Sequence, residues 1–193
     1  MSEDHIKQLR DVAFRKIGRN LVNFQQFERA LKLIIVRSDV RGYASELAKV
    51  LRDKDKDIDR KPLGWLIQDF LKAVYSSHPS HNGPANELDE AWMSISLRIQ
   101  SNKNLVRHRR RQLRELVKER NLLVHRLLAN FDPNSVQSCE KLICLLDEQV
   151  DRLEPHYESL MDIIGNMQTA QKEIMKQLET ELREAAREDG DAV

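Results

Sequence analysis

Apolar positions recur at three-to-four-residue spacing over most of this 193-residue chain, a period that predicts helices. From about Ile6 to Val36 the repeat runs Leu9, Val12, Ala13, Ile17, Leu21, Phe24, Phe27, Leu31 and Ile34, one face of a long amphipathic helix. "RSDVRGY" ends it, and "ASELAKVLRDKDKDIDR" gives a shorter helix trailing into a charged loop. Pro62 starts the next helix, "PLGWLIQDFLKAVY", since a first-turn residue has no intrahelical N–H bond to lose. "SSHPSHNGPANE" then reads as a loop, because Gly, Pro, Asn and Ser make up most of it.

One segment breaks the helical period. In "AWMSISLRIQ", Met93, Ile95, Leu97 and Ile99 alternate with Ser94, Ser96, Arg98 and Gln100, a period of two. A short strand is expected near 92–99, and no second strand is visible to pair with it. It either pairs with its copy in another subunit or lies extended over helices.

The helical period returns at about Ser101 and runs to Asn130, where "FDPNS" stops it. Asp132 is the expected cap of the last helix, with Pro133 in its first turn. There Leu142, Leu146, Val150, Leu153, Tyr157, Leu160, Ile164, Met167, Ile174, Leu178 and Leu182 hold the spacing. The register continues past Pro155, which favours a bend over a turn. The expectation is an all-α helical bundle of about five helices in a single domain over 1–193, with one short strand near 92–99. The C-terminal helix, about 133–187, is long enough to project as an arm or a dimer contact.

Composition agrees: 40% hydrophobic and 33% charged, with few Gly and Pro, suits a helical core and is too apolar for a disordered chain. The amino terminus is polar, without an apolar signal core, and the run "LIIV" from Leu33 is far too short to span a bilayer. A soluble, cytoplasmic protein with no membrane partner is expected. Cys139 and Cys144 lie about 140° apart on a helix, which prevents a local disulfide and predicts two reduced, mostly buried thiols.

The net charge of +1 conceals segregation. Leu105–Arg126 holds seven Arg and one Lys against two Glu, a local +6, while Gln171–Val193 sums to −3. With Leu113 at zero on a helical wheel, Leu116, Val117, Leu123, Val124, Leu127 and Leu128 fall within roughly 80°. Arg120 falls at about −20°, inside that apolar stripe. A guanidinium cannot escape burial by losing its proton, so Arg120 requires an acidic partner, an aqueous cleft or an anionic ligand. Arg107, Arg110, Arg111, Arg114, Lys118, Asn121 and His125 fall between about 60° and 160°, forming a track with Glu115 and Glu119 turned away. A one-sign track of this length suits a phosphate backbone, as in RNA. The opposite charge of the last helix raises a second expectation, that it covers the track at rest.

The end of the track carries chemistry. His exchanges protons near neutral pH, Arg can hold a phosphate through phosphoryl transfer, and Asn can orient either by hydrogen bonding. RNA brings its own 2′-OH nucleophile, so this set needs no metal. "RNLLVH", Arg120 to His125 within "KERNLLVHRLL", resembles the motif of the HEPN superfamily, an Arg, four to six intervening residues of which the first is usually polar, and then a His, here at its shortest spacing. The resemblance implies a dimerising bundle and metal-independent RNA cleavage, with Arg120, Asn121 and His125 as a catalytic set shared between two copies. It implies a toxin or a defence or stress effector, with an antitoxin or regulatory protein as a further partner. Leu127 stands where HEPN toxins regulated by tyrosine modification often carry Tyr, so that control is not expected here. Arg107, Arg110, Arg111, Arg114 and Lys118 are the expected RNA-binding residues.

Two readings of other classes compete: a nonenzymatic helical module binding RNA or protein through the same face, and a structural coiled-coil adaptor in which Arg120 meets an acid. "GRNLVNF" echoes the motif at Arg19, Asn20 and Asn23 without a His, as expected of coincidence on an amphipathic helix. His78 and His81 have ligand-like spacing but no further ligand nearby, and His108 belongs to the charged face. No metal site and no cofactor is expected.

Overall fold

The computed structural model describes residues 3–75, 92–127 and 129–190, except the side chains of 181–182 and 184–190. Helix α1 is Glu3–Arg37, α2 Leu47–Asp59, α3 Leu63–Tyr75, α4 Lys103–Leu122 and α5 Val136–Gly190. A π-helical turn, Leu123–Leu127, extends α4, and two short strands complete the order, β1 Asp39–Tyr43 and β2 Trp92–Ser96. Over the described residues the protein is an all-α bundle of five helices with a long C-terminal helix and one small two-stranded sheet. The whole of the expected 76–87 loop, with His78 and His81, lies outside the described residues.

The apolar periods become the core. In α1, Ala13, Ile17, Phe24, Phe27, Leu31 and Ile34 are buried; from α3 come Leu66, Ile67, Phe70 and Val74, from α4 Leu113 and Leu116, and from α5 Leu142, Leu146, Leu153 and Leu160. The central packing is α1 along α5, with α3 against α1 on one side and α4 on the other. Pro155 leaves α5 unbroken. Past Met167 every described side chain of α5 is exposed, Ile174, Met175 and Leu178 included, so this part of the helix runs free of the core as an arm.

Four expectations are corrected. The 92–99 segment pairs within its own chain: β2 is antiparallel to β1, from Asp39↔Ser96 to Tyr43↔Trp92. The Tyr43 and Trp92 rings close that register edge to face at 5.1 Å. The partner strand is "DVRGY", which carries too few apolar residues to look like a strand; its Gly42 takes φ 155°, a conformation L side chains rarely adopt. The last helix begins at Val136, three residues beyond Pro133: Asp132 Oδ1 accepts from Asn134 N instead, and Ser135 caps the helix through Ser138 N. The basic helix ends in a π turn. Of the two free thiols, Cys139 is buried but Cys144 is exposed, because the 3.6-residue period carries it off the buried face.

Candidate functional site

Helix α4 starts where Asn102 Oδ1 accepts from Leu105 N at 2.8 Å. Leu113 and Leu116 pin it to the core, and Val117 lies against Gly64 of α3, where a Cβ would stand 3.9 Å from Val117 Cγ1. With that face turned inward, Arg107, Arg110, Arg111 and Arg114 are all exposed, as is Lys118. The four arginines form no ion pair among the described residues, although Arg111 Nη2 comes 3.4 Å from His108 Nδ1. Lys118 departs from expectation. Its Nζ meets Glu115 Oε1 at 2.8 Å, because residues three apart on a helix are neighbours and a long carboxylate side chain can reach round to the flank. The track is therefore four open arginines and one neutralised lysine. No ion pair joins it to the exposed part of α5 at 168–180, so nothing among the described residues covers it.

Arg120 is half-buried, as its place in the apolar stripe requires. No carboxylate pairs with it among the described residues; its Nη1 donates to Asn121 Oδ1 at 3.3 Å. Of the three surroundings that could tolerate it, the structure supplies the cleft: Arg120 lines a groove of about 880 Å³ between α1 and α2. Asn121 and His125 are exposed. His125 sits in the middle of the π turn, while Leu123 at its start is fully buried and anchors it. A π turn holds more residues than an α turn, so each advances the chain by a smaller angle. In a regular helix His125 would stand about 140° from Arg120 and about 40° from Asn121, and the smaller advance per residue reduces both angles. Such turns often mark functional positions.

The turn before Arg120 is fixed from behind by residues that motif reasoning missed. Gln149 Nε2 of α5 donates to the Glu119 carbonyl at 3.2 Å, and Gln149 Oε1 accepts from Asn20 Nδ2 of α1 at 3.0 Å. Asn20 Nδ2 also reaches the Leu146 carbonyl at 2.8 Å. Arg152 Nε meets Glu119 Oε1 at 2.7 Å. Asn20 and Gln149 are two of the few buried polar residues, so a hydrogen-bonded path crosses the core from α1 through α5 to the backbone beneath Arg120. A signal for them existed. Each interrupts an apolar period (Ile17–Asn20–Phe24, Leu146–Gln149–Leu153), as Arg120 does. The "GRNLVNF" echo is thus structural: Arg19 pairs with Asp147 at 3.1 Å, beside Lys16, and Asn20 carries the path.

A second, partly buried contact ties the track helix to α5. Arg109 Nη1 lies 2.7 Å from His156 Nδ1. Burial, and after it the Arg109 charge, push the His156 pKa below the ordinary histidine value. Among the described residues no cluster of His, Cys, Asp and Glu could hold a metal, and no helix is long and apolar enough to cross a membrane. No protein-family model matches the chain, and neither a curated protein nor a solved structure matches it.

Proposed function

We propose that this chain is a metal-independent endoribonuclease of HEPN type, acting as a cytoplasmic toxin or defence effector under a regulatory protein. The observation that carries the reading is Arg120. It is a half-buried guanidinium without a carboxylate partner among the described residues, it touches Asn121, and it stands at the end of four open arginines with His125 in the next turn. The arginines of α4 would hold the RNA backbone. Arg120 would hold the scissile phosphate, and Asn121 would keep that guanidinium in place through the bond it already accepts.

His125 of one copy takes the proton of the 2′-OH, whose oxygen attacks the adjacent phosphorus. The bond from phosphorus to the 5′-oxygen breaks, and the His125 imidazolium of a second copy returns a proton to that leaving oxygen. The products are a 2′,3′-cyclic phosphate and a 5′-hydroxyl, and nothing is oxidised or reduced. Two imidazoles are needed at once in opposite protonation states, which is why a homodimer belongs to the proposal.

The test is cleavage of RNA by the purified chain in EDTA, beside His125→Ala and Arg120→Ala. Each variant is expected to lose at least about 100-fold in rate. If wild type and variants are equally inert while RNA is still bound, the enzyme reading fails and a binding module remains. If RNA is not bound even at low salt, the chain is a structural adaptor.

A further inference from the structure

The groove entered by Arg120 is a feature that the basic track does not contain. Its walls are α1 and α2, its volume is about 880 Å³, and Arg29, Arg37, Arg52 and Arg120 line it together with Lys32, Glu28, Asp55 and Asp59. The charges are not evenly committed. Lys32 Nζ is held by Asp59 Oδ1 at 3.0 Å and Glu28 Oε1 at 3.4 Å, which removes one cation and two carboxylates from the balance. Burial, the largest single influence on Lys32, pulls its pKa down, but those two acids outweigh it and hold the ammonium above its ordinary range. What remains is four arginines and Asp55, none in an ion pair among the described residues.

We propose that this groove binds phosphate groups, at least two at a time. Four arginines line one concave space, and a guanidinium is a planar, bidentate donor, the geometry that matches phosphate oxygens and that lysines do not reproduce. Arg29 and Arg37 are eight residues apart on α1, about 12 Å along the axis, a span wider than a single phosphate group. The volume lies in the range of ordinary ligand sites, about 300–1,000 Å³. Arg120 belongs both to this groove and to the candidate site on α4, so the two form one continuous positive path. The phosphates come either from an RNA strand running on past Arg120 or from a free nucleotide. The inference rests on the ribonuclease reading only for the source of the phosphates, not for the groove.

The full-length chain is titrated in EDTA with a labelled 12-nucleotide 2′-O-methyl oligouridylate, which lacks the 2′-OH and cannot be cut, and separately with ATP. The double variant Arg29→Glu/Arg52→Glu changes two exposed groove residues outside the motif. It is expected to weaken binding of at least one probe by about 10-fold or more at low salt. For the oligonucleotide, its slope of log affinity against log salt should fall by about 1.4, two phosphate contacts fewer on a single strand. Loss with the oligonucleotide assigns the strand, and loss with ATP alone assigns the free nucleotide. Asp55→Lys should tighten the same probe several-fold, a change that misfolding cannot imitate.

Wild-type affinity for both probes in the double variant overturns the groove, as does weaker binding by Asp55→Lys. The two proposals fail separately. Binding lost in the double variant while the wild type cleaves nothing leaves the groove standing without the enzyme. His125-dependent cleavage with binding indifferent to Arg29 and Arg52 leaves the enzyme standing without the groove.

Discussion

Asn20 Nδ2 has two acceptors, Leu146 O and Gln149 Oε1, and both are enclosed by core. Truncating it to Ala leaves Gln149 Oε1 without that donor and is expected to cost about 1–3 kcal/mol, read from urea unfolding at unchanged m. A larger loss is expected at Leu123, fully buried beneath the π turn: Leu123→Ala should remove about 2–5 kcal/mol. His156 adds a pH dependence. Its folded pKa lies below its unfolded value, so the unfolded chain takes up the proton first as pH falls. Its contribution is therefore fully present above the ordinary histidine pKa of about 6.5 and is lost progressively below it. Thermal unfolding followed from pH 7.5 to 5 should show a shallower decline for His156→Gln than for the wild type. An equal decline would mean that the pair with Arg109 does not survive in solution.

At the scale of elements, α5 has two parts with different roles. Up to Met167 it forms one wall of the core; beyond that its described side chains are exposed. Removing residues 170–193 should leave the melting temperature within about 2 °C, because no core contact among the described residues is lost. The same truncation tests whether the acidic end restrains the basic track. An unchanged RNA affinity would show that it does not. Pro155 is the other feature of α5. It supplies no N–H to the helix that continues through it, so Pro155→Ala is expected to stabilise by up to about 3 kcal/mol in urea unfolding. A neutral result would mean that Pro155 is itself matched to the packing of α1 on α5.

For the molecule as a whole, the proposed chemistry demands two copies. Light scattering on the 22.6 kDa chain is expected to give twice that mass at micromolar concentration. A strict monomer that still cleaves RNA through His125 would refute the composite site. Where strand binding occurs, the four open arginines of α4 should impose a salt slope of roughly −3, at about 0.7 per phosphate contacted. Reversing Arg111 alone should lower it by about 0.7 across all RNA sequences, since phosphate contacts carry no sequence information.

Much of this architecture is legible in the residues alone. Helical periods are local and repeat many times, so α1, α3 and α5 are recognisable from their apolar stripes, and the basic track follows from the same wheel. Arg120 was conspicuous because a charge inside such a stripe contradicts its neighbours. Pairing between distant segments leaves no such periodic trace. "DVRGY" is a strand only because β2 lies beside it, and Glu115 reaches Lys118 because both side chains are long and flexible. The π turn, the path from Asn20 through Gln149 to the Glu119 carbonyl, and the groove facing Arg120 all depend on how α1, α2, α4 and α5 meet. Sequence fixes which faces are apolar and where charge accumulates, because those are properties of single elements. Only the tertiary structure decides what a half-buried guanidinium looks into, because that depends on walls built by residues about 60 to 95 positions away.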